Sequence, residues 1–387
     1  MTPAARIAAA IEVLDRVLSG EPAEKVLTTW GRTNRYAGSK DRAAVRDHVF
    51  GALRRKRSLA ALGGAETGRG LMIGAMRAAG EAPETAFTGE RHAPAPLDAA
   101  EAAAGLAPAP GAEAADCPDW IWERSLAQLG PRAEPVWAVQ GQAAPVGLRA
   151  NLARISAAGL AERLAGQGIE VQPDPRSPSA LIAPGRPRGL TQLAEWQDGL
   201  FELQDAGSQW VSDLVPLGPG QSLMDYCAGG GGKTLAVAAR VKGRFHAHDA
   251  HPRRMADLPV RAERAGVNVA VCAPGGKLPS CDTVLADVPC SGSGTWRRAP
   301  DAKWRFSPAD LEEVTALQAE ILDRAAELVR PGGHLVHATC SVFDEENAAQ
   351  AAAFLARHPE FSEVSQASIL PDAGSDGYFA AVFAKAK

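Results

Sequence analysis

From Gly220 onward, short apolar runs (SLMDYCA, RFHAHD, VAVC, DTVLAD, HLVHAT) alternate with helix-length stretches. Such runs predict parallel strands covered on both faces, because a parallel connection must cross the sheet and a helix supplies the crossover. The first run passes straight into Asp225-Tyr-Cys-Ala-Gly-Gly-Gly-Gly-Lys233, four glycines where a strand gives way to a helix. Glycine lets a backbone turn tightly beneath a ligand, and ligands of open α/β sheets bind at this kind of junction.

Dinucleotide, nucleotide and adenosylmethionine sites all use such a loop. A Walker phosphate loop is excluded, since the GxxxxGK spacing requires glycine where Cys227 stands. Asp249, at the end of the second strand and about 20 residues beyond the glycines, suits the ribose hydroxyls of a bound nucleoside. A helix N-cap before Pro252 explains it equally simply.

Two further loops follow strands of the same sheet. Asp287-Val-Pro-Cys290-Ser-Gly-Ser-Gly294 follows DTVLAD, and Thr339-Cys340-Ser341 follows HLVHAT. Proline, serine and glycine neighbours mark loops rather than core, so both thiols are expected at the crevice that holds the glycine run. A pair of cysteines there suits covalent catalysis. A thiolate adding to C6 of cytosine turns the ring into an enamine whose C5 attacks an electrophilic methyl group, and a base then removes the C5 proton. Asp287 is the best-placed carboxyl to face N3 and the exocyclic amine, or to contact the cofactor. Spacing alone does not say which thiol attacks. Cys117, Cys272 and Cys281 read as small buried hydrophobes, and Cys227 is ambiguous within the glycine loop.

Arg297, Arg298, Lys303, Trp304 and Arg305, in GTWRRAPDAKWRF, combine cations with flat rings that suit phosphate contact and base stacking. A solvated, partly packed loop is the alternative. Residues 1–60 hold twelve Lys and Arg against six Asp and Glu, which fits either a solvated helical face or a phosphate-contacting one.

At 387 residues the chain is expected to form two or three domains. Helical periodicity over Ile7–Leu18 and Ala43–Leu53 predicts a helical region over residues 1–140, including an Ala/Pro-rich stretch at 80–117 of short helices or mobile loops. Residues 141–205 mix strands (VGLRANL, SALIAP, LFELQ) with a helix near Leu160–Gly166, a small α+β module. Residues 206–387 hold the main sheet, with a helix from Pro308 that Pro331-Gly332-Gly333 stops and a final edge strand over Tyr378–Phe383. A net charge of −4 argues against a protein that coats nucleic acid, not against one that reads it locally. Six cysteines without a CxxC pair disfavour a zinc ribbon, a thioredoxin-like site and a disulfide framework, and no metal site is expected. No apolar run reaches membrane-spanning length and the start is unlike a secretory signal, so the expectation is a cytoplasmic monomer with no membrane partner.

The motifs DYCAGGGGKT, DVPCSGSGTWRRAPDAKW and LQAEILDRAAELVRPGGHLVHATCSVFDEEN resemble the RsmB/Sun (Fmu) family of RNA cytosine-C5 methyltransferases over about residues 145–387. NRYAGSKDRAAVRDHVFGALRRKRS is similar to the NusB-like helical RNA-binding domain of the bacterial RsmB branch. The resemblance implies a class I Rossmann-like methyltransferase domain with a mostly parallel seven-stranded sheet, preceded by a NusB-like domain and the small α+β module. It implies S-adenosyl-L-methionine as cofactor, held by Cys227, Ala228, Gly229, Gly230, Gly231, Gly232 and Lys233, by Asp249 on the ribose, and by Asp287 near the methyl-bearing sulfur and the base. It assigns attack to Cys340 and product release to Cys290. The partner it implies is RNA, with bacterial 16S ribosomal RNA or a small-subunit assembly intermediate as substrate.

Two departures from the family pattern stand out. Gly229-Gly230 replace the usual alanine-proline pair, which predicts a more flexible loop. VAVCAPGGKLPS offers Cys272, Ala273 and Pro274 where an acid usually holds the adenine amine, leaving backbone groups for that contact. Two other functions compete: a DNA cytosine methyltransferase attacking through Cys290, which this compact domain disfavours, and a non-catalytic RNA-binding or assembly factor, which the intact Cys290, Cys340 and Asp287 disfavour.

Overall fold

The computed structural model describes residues 1–185, 187–273 and 275–387. The chain forms two compact units, one of Met1–Ala143 with Trp296–Ser307, the other of Ala144–Thr295 with Pro308–Lys387.

The first unit is helical, with long helices at Pro3–Leu18, Ala23–Thr33, Ser39–Arg54, Lys56–Gly63 and Gly68–Ala78. Thr2 caps the first, its hydroxyl accepting the Ala5 N–H at 3.1 Å, with Pro3 at the first helical position. Their apolar stripes close on one core that includes Val13, Leu14, Trp30, Val49, Leu53 and Ile73. The Ala/Pro-rich stretch is ordered as a 3₁₀ turn at Pro83–Thr85 and a short helix at Ala99–Ala103. Much of the basic excess is neutralised in place, through Arg6–Asp41, Arg16–Glu21, Arg46–Glu24, Lys56–Glu66 and Arg57–Asp119 pairs.

The second unit holds two sheets. Strands β1 (Val146–Ala150), β2 (Gln172–Pro173), β3 (Ala180–Ala183) and β4 (Phe201–Leu203) form an antiparallel sheet in the order β2-β3-β1-β4. The helix Ala157–Ala165 packs Leu160 and Leu164 into that sheet's core. Strands β5 (Ser222–Asp225), β6 (Arg244–Ala247), β7 (Val269–Val271), β8 (Cys281–Asp287), β9 (Val329–Thr339), β10 (Phe361–Ile369) and β11 (Tyr378–Lys385) form the expected seven-stranded sheet, ordered β10-β11-β9-β8-β5-β6-β7. β5 through β9 run parallel, while β11 is antiparallel to β9 and β10 to β11. The chain winds outward from β5 to β7 and then returns to β8 on the other side, so the switch point lies between β5 and β8.

Two expectations need correction. Tyr378–Phe383 is not an edge strand: six consecutive buried residues make β11 an interior strand, and the edge is β10, whose residues 362–368 are exposed. The long helix ends at Glu327, and Pro331-Gly332-Gly333 lie within β9 instead of stopping the helix. Leu328 and Val329 lie outside it, and Val329 already pairs with Cys281 of β8. Among the described residues no helix is long and apolar enough to cross a membrane.

Candidate active site

The glycine loop leaves the end of β5 and opens the helix Gly232–Ala238. Gly229 and Gly231 adopt φ of 50° and 73°, which disfavours any side chain, and a Cβ on Gly231 would stand 2.2 Å from Leu258 Cδ1. The flexibility expected from Gly229-Gly230 is countered by three clamps. Asp249 Oδ2 accepts the Gly229 N–H at 3.0 Å, Arg261 Nη1 donates to the Gly230 carbonyl at 2.5 Å, and Arg149 Nη1 donates to the Gly232 carbonyl at 2.6 Å. Arg149 comes from β1, and Glu202 of β4 holds Arg261 and Arg264. The small antiparallel sheet thus braces the loop of the large one. Burial pulls the Arg149 guanidinium down to about 10.

Asp249 is buried, and its other oxygen accepts the His251 N–H at 2.8 Å. Its visible work is local, tying the turn after β6 to the glycine loop. Asp225, at the end of β5, is also buried. Its Oδ2 accepts the Thr234 hydroxyl at 2.5 Å, and desolvation raises its carboxyl to about 7.

Parallel pairing of β8 with β9 sets Asp287 opposite Ala338, so the loops that follow leave the same end of the sheet side by side. Cys290 Sγ and Cys340 Sγ stand 3.4 Å apart. The Gly294 N–H donates to the Cys340 carbonyl at 2.9 Å, and a Cβ there would fall 2.5 Å from the Gly377 carbonyl oxygen, so only glycine fits. Lys233 Nζ lies 2.6 Å from Asp287 Oδ2. Lys233, expected among the cofactor contacts, therefore links the helix after the glycine loop to the carboxylate beside the thiols.

The two sulfurs have unequal surroundings. The hydrogen bond from Cys290 draws the Cys340 thiol below its ordinary range; burial and Asp287 oppose this, while Lys233 and the Thr295 hydroxyl support it. Cys290 is held well above its ordinary range by that same hydrogen bond, by burial and by the negative charge of Glu346. The inequality follows first from the hydrogen bond between the two sulfurs, which favours a thiolate at Cys340 and a thiol at Cys290. The remaining cysteines behave as buried or half-buried hydrophobes. Burial pushes Cys117 up to about 12 and raises Cys227, Cys272 and Cys281.

Beneath the thiols lies a residue that sequence reasoning missed. Glu346 is fully buried, and its carboxylate accepts the Ser291 N–H at 2.7 Å, the Ser291 hydroxyl at 2.5 Å, the Ser341 hydroxyl, and Gln318 Nε2 at 3.0 Å. It sits in the run Asp344-Glu345-Glu346, which looks like a solvated turn. The available signal was its place six residues after Cys340, at the return from the same strand end.

The cation-rich segment after Cys290 is partly packed, the alternative reading of its sequence: Trp296–Ser307 belongs to the helical unit and buries some of its cations there while others face solvent. Arg297 and Lys303 are buried. The Lys303 ammonium donates to the Asp116 carbonyl and lies 4.6 Å from the Trp304 ring centre, and burial pulls it down to about 8. Trp304 Nε1 donates to the Leu53 carbonyl at 2.7 Å, Trp296 stacks on Trp137 at 5.9 Å, and Arg305 pairs with Asp301. The bulky rings anchor the segment and draw its cations inward, leaving Arg298 and Arg305 exposed. Of the residues at which an adenine contact was expected, Cys272 is half-buried and Ala273 exposed, while Pro274 lies outside the described residues.

The family model described as 16S rRNA methyltransferase RsmB/F matches residues 214–382, and the RsmF/B-like ferredoxin-like domain matches residues 117–185. A probable ribosomal RNA small subunit methyltransferase B from Synechocystis sp. is 34% identical over 255 residues, 63% of this chain and 57% of that protein. The ribosomal RNA small subunit methyltransferase B of Yersinia pseudotuberculosis is 32% identical over 253 residues, 63% of this chain and 58% of that protein. The chain thus spans somewhat more than half the length of the curated relatives it matches. The crystal structure of PH0851 shares the fold, with a TM-score of 0.78 at 23% identity over 100% of this chain and 99% of that one. Residues 214–382 thus resemble the RsmB/F methyltransferase domain and residues 117–185 its ferredoxin-like companion, and the relatives at 32–34% identity carry the matching name.

Proposed function

We propose that this chain transfers a methyl group from S-adenosyl-L-methionine to C5 of a cytosine in RNA, with Cys340 as nucleophile and Cys290 as the thiol that assists product release. The observation that carries this reading is the pair of sulfurs 3.4 Å apart at the ends of β8 and β9, beside the Lys233–Asp287 ion pair. Two thiols at one crevice suit an adduct that must be formed and then released.

The glycine loop fits the methyl donor. A Cβ on Gly229 would meet nothing nearer than Arg254 at 3.8 Å, so the loop is open there, and Asp249 keeps lone pairs beyond those its two backbone N–H partners use. Gly229 to Lys233 would cradle the donor and Asp249 its ribose, while the donor supplies an electrophilic methyl group. Cys340, as thiolate, adds to C6 of the cytosine and makes C5 nucleophilic. Asp287, oriented by Lys233, accepts from the exocyclic amine and orients the ring. Once C5 carries the methyl, a base takes the C5 proton, the C6–S bond breaks, and the electron pair returns to Cys340. Cys290, protonated beside it, assists this release. Ribosomal RNA, in 16S RNA or a small-subunit assembly intermediate, is the substrate that the relatives' names support, and the chain is taken as a cytoplasmic monomer.

The test incubates the protein with unmodified ribosomal RNA and labelled S-adenosyl-L-methionine. Cys340→Ala is expected to abolish transfer, and Cys290→Ala to accumulate a covalent RNA adduct. An adduct that survives Cys340→Ala and vanishes in Cys290→Ala would reverse the two roles, as in DNA cytosine methyltransferases. Absence of transfer to any RNA by the wild type would leave a binding factor.

A further inference from the structure

Among the described residues the carboxylate of Glu346 has no ion-pair partner, yet it is wholly buried. An isolated buried carboxylate costs several kcal/mol unless hydrogen bonds replace its water. Here four donors do so, and they are not scattered. Two belong to Ser291, the residue after Cys290, and one to Ser341, the residue after Cys340. The fourth, Gln318 Nε2, also donates to the Pro289 carbonyl at 2.9 Å, just before Cys290. Ser293 reinforces the bridge, its hydroxyl lying 2.9 Å from that of Ser341 and accepting the Val342 N–H at 2.9 Å. From below, the Glu346 carbonyl lies 3.0 Å from Nε2 of the buried His337 on β9.

We propose that Glu346 is the positioning residue of the two-thiol site, tying the Cys290 loop to the Cys340 loop through Ser291 and Ser341. This rests on the reading of the pair as the methyl-transfer thiols. Cys340 Sγ lies 3.4 Å from Cys290 Sγ and 3.9 Å from the Thr295 hydroxyl; the charges of Asp287 and Lys233 act on Cys340 in opposite senses, while the charge of Glu346 raises Cys290. The charge of Glu346 thus adds to the sulfur–sulfur hydrogen bond and the burial that keep Cys290 a thiol. An alanine at this place would leave four buried donors without their acceptor, and a glutamine would keep one acceptor oxygen where the carboxylate has two.

The experiment compares wild type, Glu346→Gln and Glu346→Asp by iodoacetamide labelling over neutral to alkaline pH, with each cysteine read by peptide mass, alongside kcat and KM for methyl transfer. In wild type Cys340 is expected to label first. In Glu346→Gln, Cys290 should begin to label about one pH unit lower, so that it labels roughly tenfold faster at a given pH. The same variant should lose about 100-fold in kcat with KM for S-adenosyl-L-methionine within about twofold. Glu346→Asp keeps the charge and loses the reach; it should retain the wild-type labelling order with reduced kcat, and it carries the test should the glutamine variant not fold. Labelling profiles in Glu346→Gln that superimpose on wild type would overturn the proposal, as would a labelling order in Glu346→Asp reversed from wild type. Labelling needs no RNA, so a wild type inactive on RNA would end the functional reading while this result still decides the role of Glu346.

Discussion

The glycine loop and the thiol loops lie at the same end of one sheet, yet they are held in opposite ways. The glycine loop is gripped by its backbone: Asp249 takes an N–H, and Arg261 and Arg149 take carbonyls. The thiol loops are gripped largely through side chains, by serine hydroxyls gathered on Glu346. A site that works through main-chain groups tolerates a change of side chain such as Gly229-Gly230, provided the backbone keeps its path. A site that works through two sulfur atoms needs each side chain aimed, and substitution should damage chemistry before it damages binding.

The sharpest way to break this contrast is Cys340→Ser, expected to reduce methyl transfer by a factor on the order of 10³ or more while S-adenosyl-L-methionine binding, measured by calorimetry, stays within about twofold. An equal loss of binding would mean that the two loops are not separable. Gly231→Ala is the converse. The positive φ and the approach to Leu258 should cost about 1–3 kcal/mol, seen as a lower Tm and roughly tenfold weaker cofactor binding, with the labelling order of Cys290 and Cys340 intact.

Arg261→Met removes a charged hydrogen bond to the Gly230 carbonyl and frees Glu202, and a loss of about 1.5 kcal/mol predicts roughly tenfold weaker cofactor binding at most. Unchanged affinity would show that Asp249 and Arg149 suffice to hold the loop. The smallest effect is expected at Asp225. Its folded carboxyl is raised to about 7, so the stability gained by burying it neutral is full below the ordinary carboxylate range and is lost as pH rises through about 7. Asp225→Asn should therefore match wild type only below about pH 4 and exceed it in Tm by roughly 2–4 °C in mild alkali. A Tm difference that does not vary with pH would contradict the buried, neutral state of this carboxyl.

Legibility in the sequence followed the range of the interactions. Glycines, a Lys and an acid within a few residues of a strand end are local signals, so DYCAGGGGK could be placed on its junction without a fold. The thiols could be assigned to one end of the sheet because both follow strands, but their separation of 3.4 Å comes from the parallel register of β8 with β9 across 50 residues. Glu346 was hidden because three consecutive acids look alike, and only the return of the chain beneath Ser291 and Ser341 turns one of them inward. Trp296–Ser307 was ambiguous for a related reason. Cations interleaved with aromatics describe a nucleic-acid surface and an anchored segment equally well, and only the fold shows that Trp296, Trp304 and Lys303 anchor on Trp137, Leu53 and Asp116.

By itself the amino-acid sequence determined which elements form and which residues stand at strand ends, because strand and helix periodicity and glycine turns act over a few residues. Only the tertiary structure decided which side chains meet. Sulfur beside sulfur, carboxylate beneath serine and arginine on a loop carbonyl join residues tens of positions apart, and contacts of that range are set by strand order and register, which no local pattern encodes.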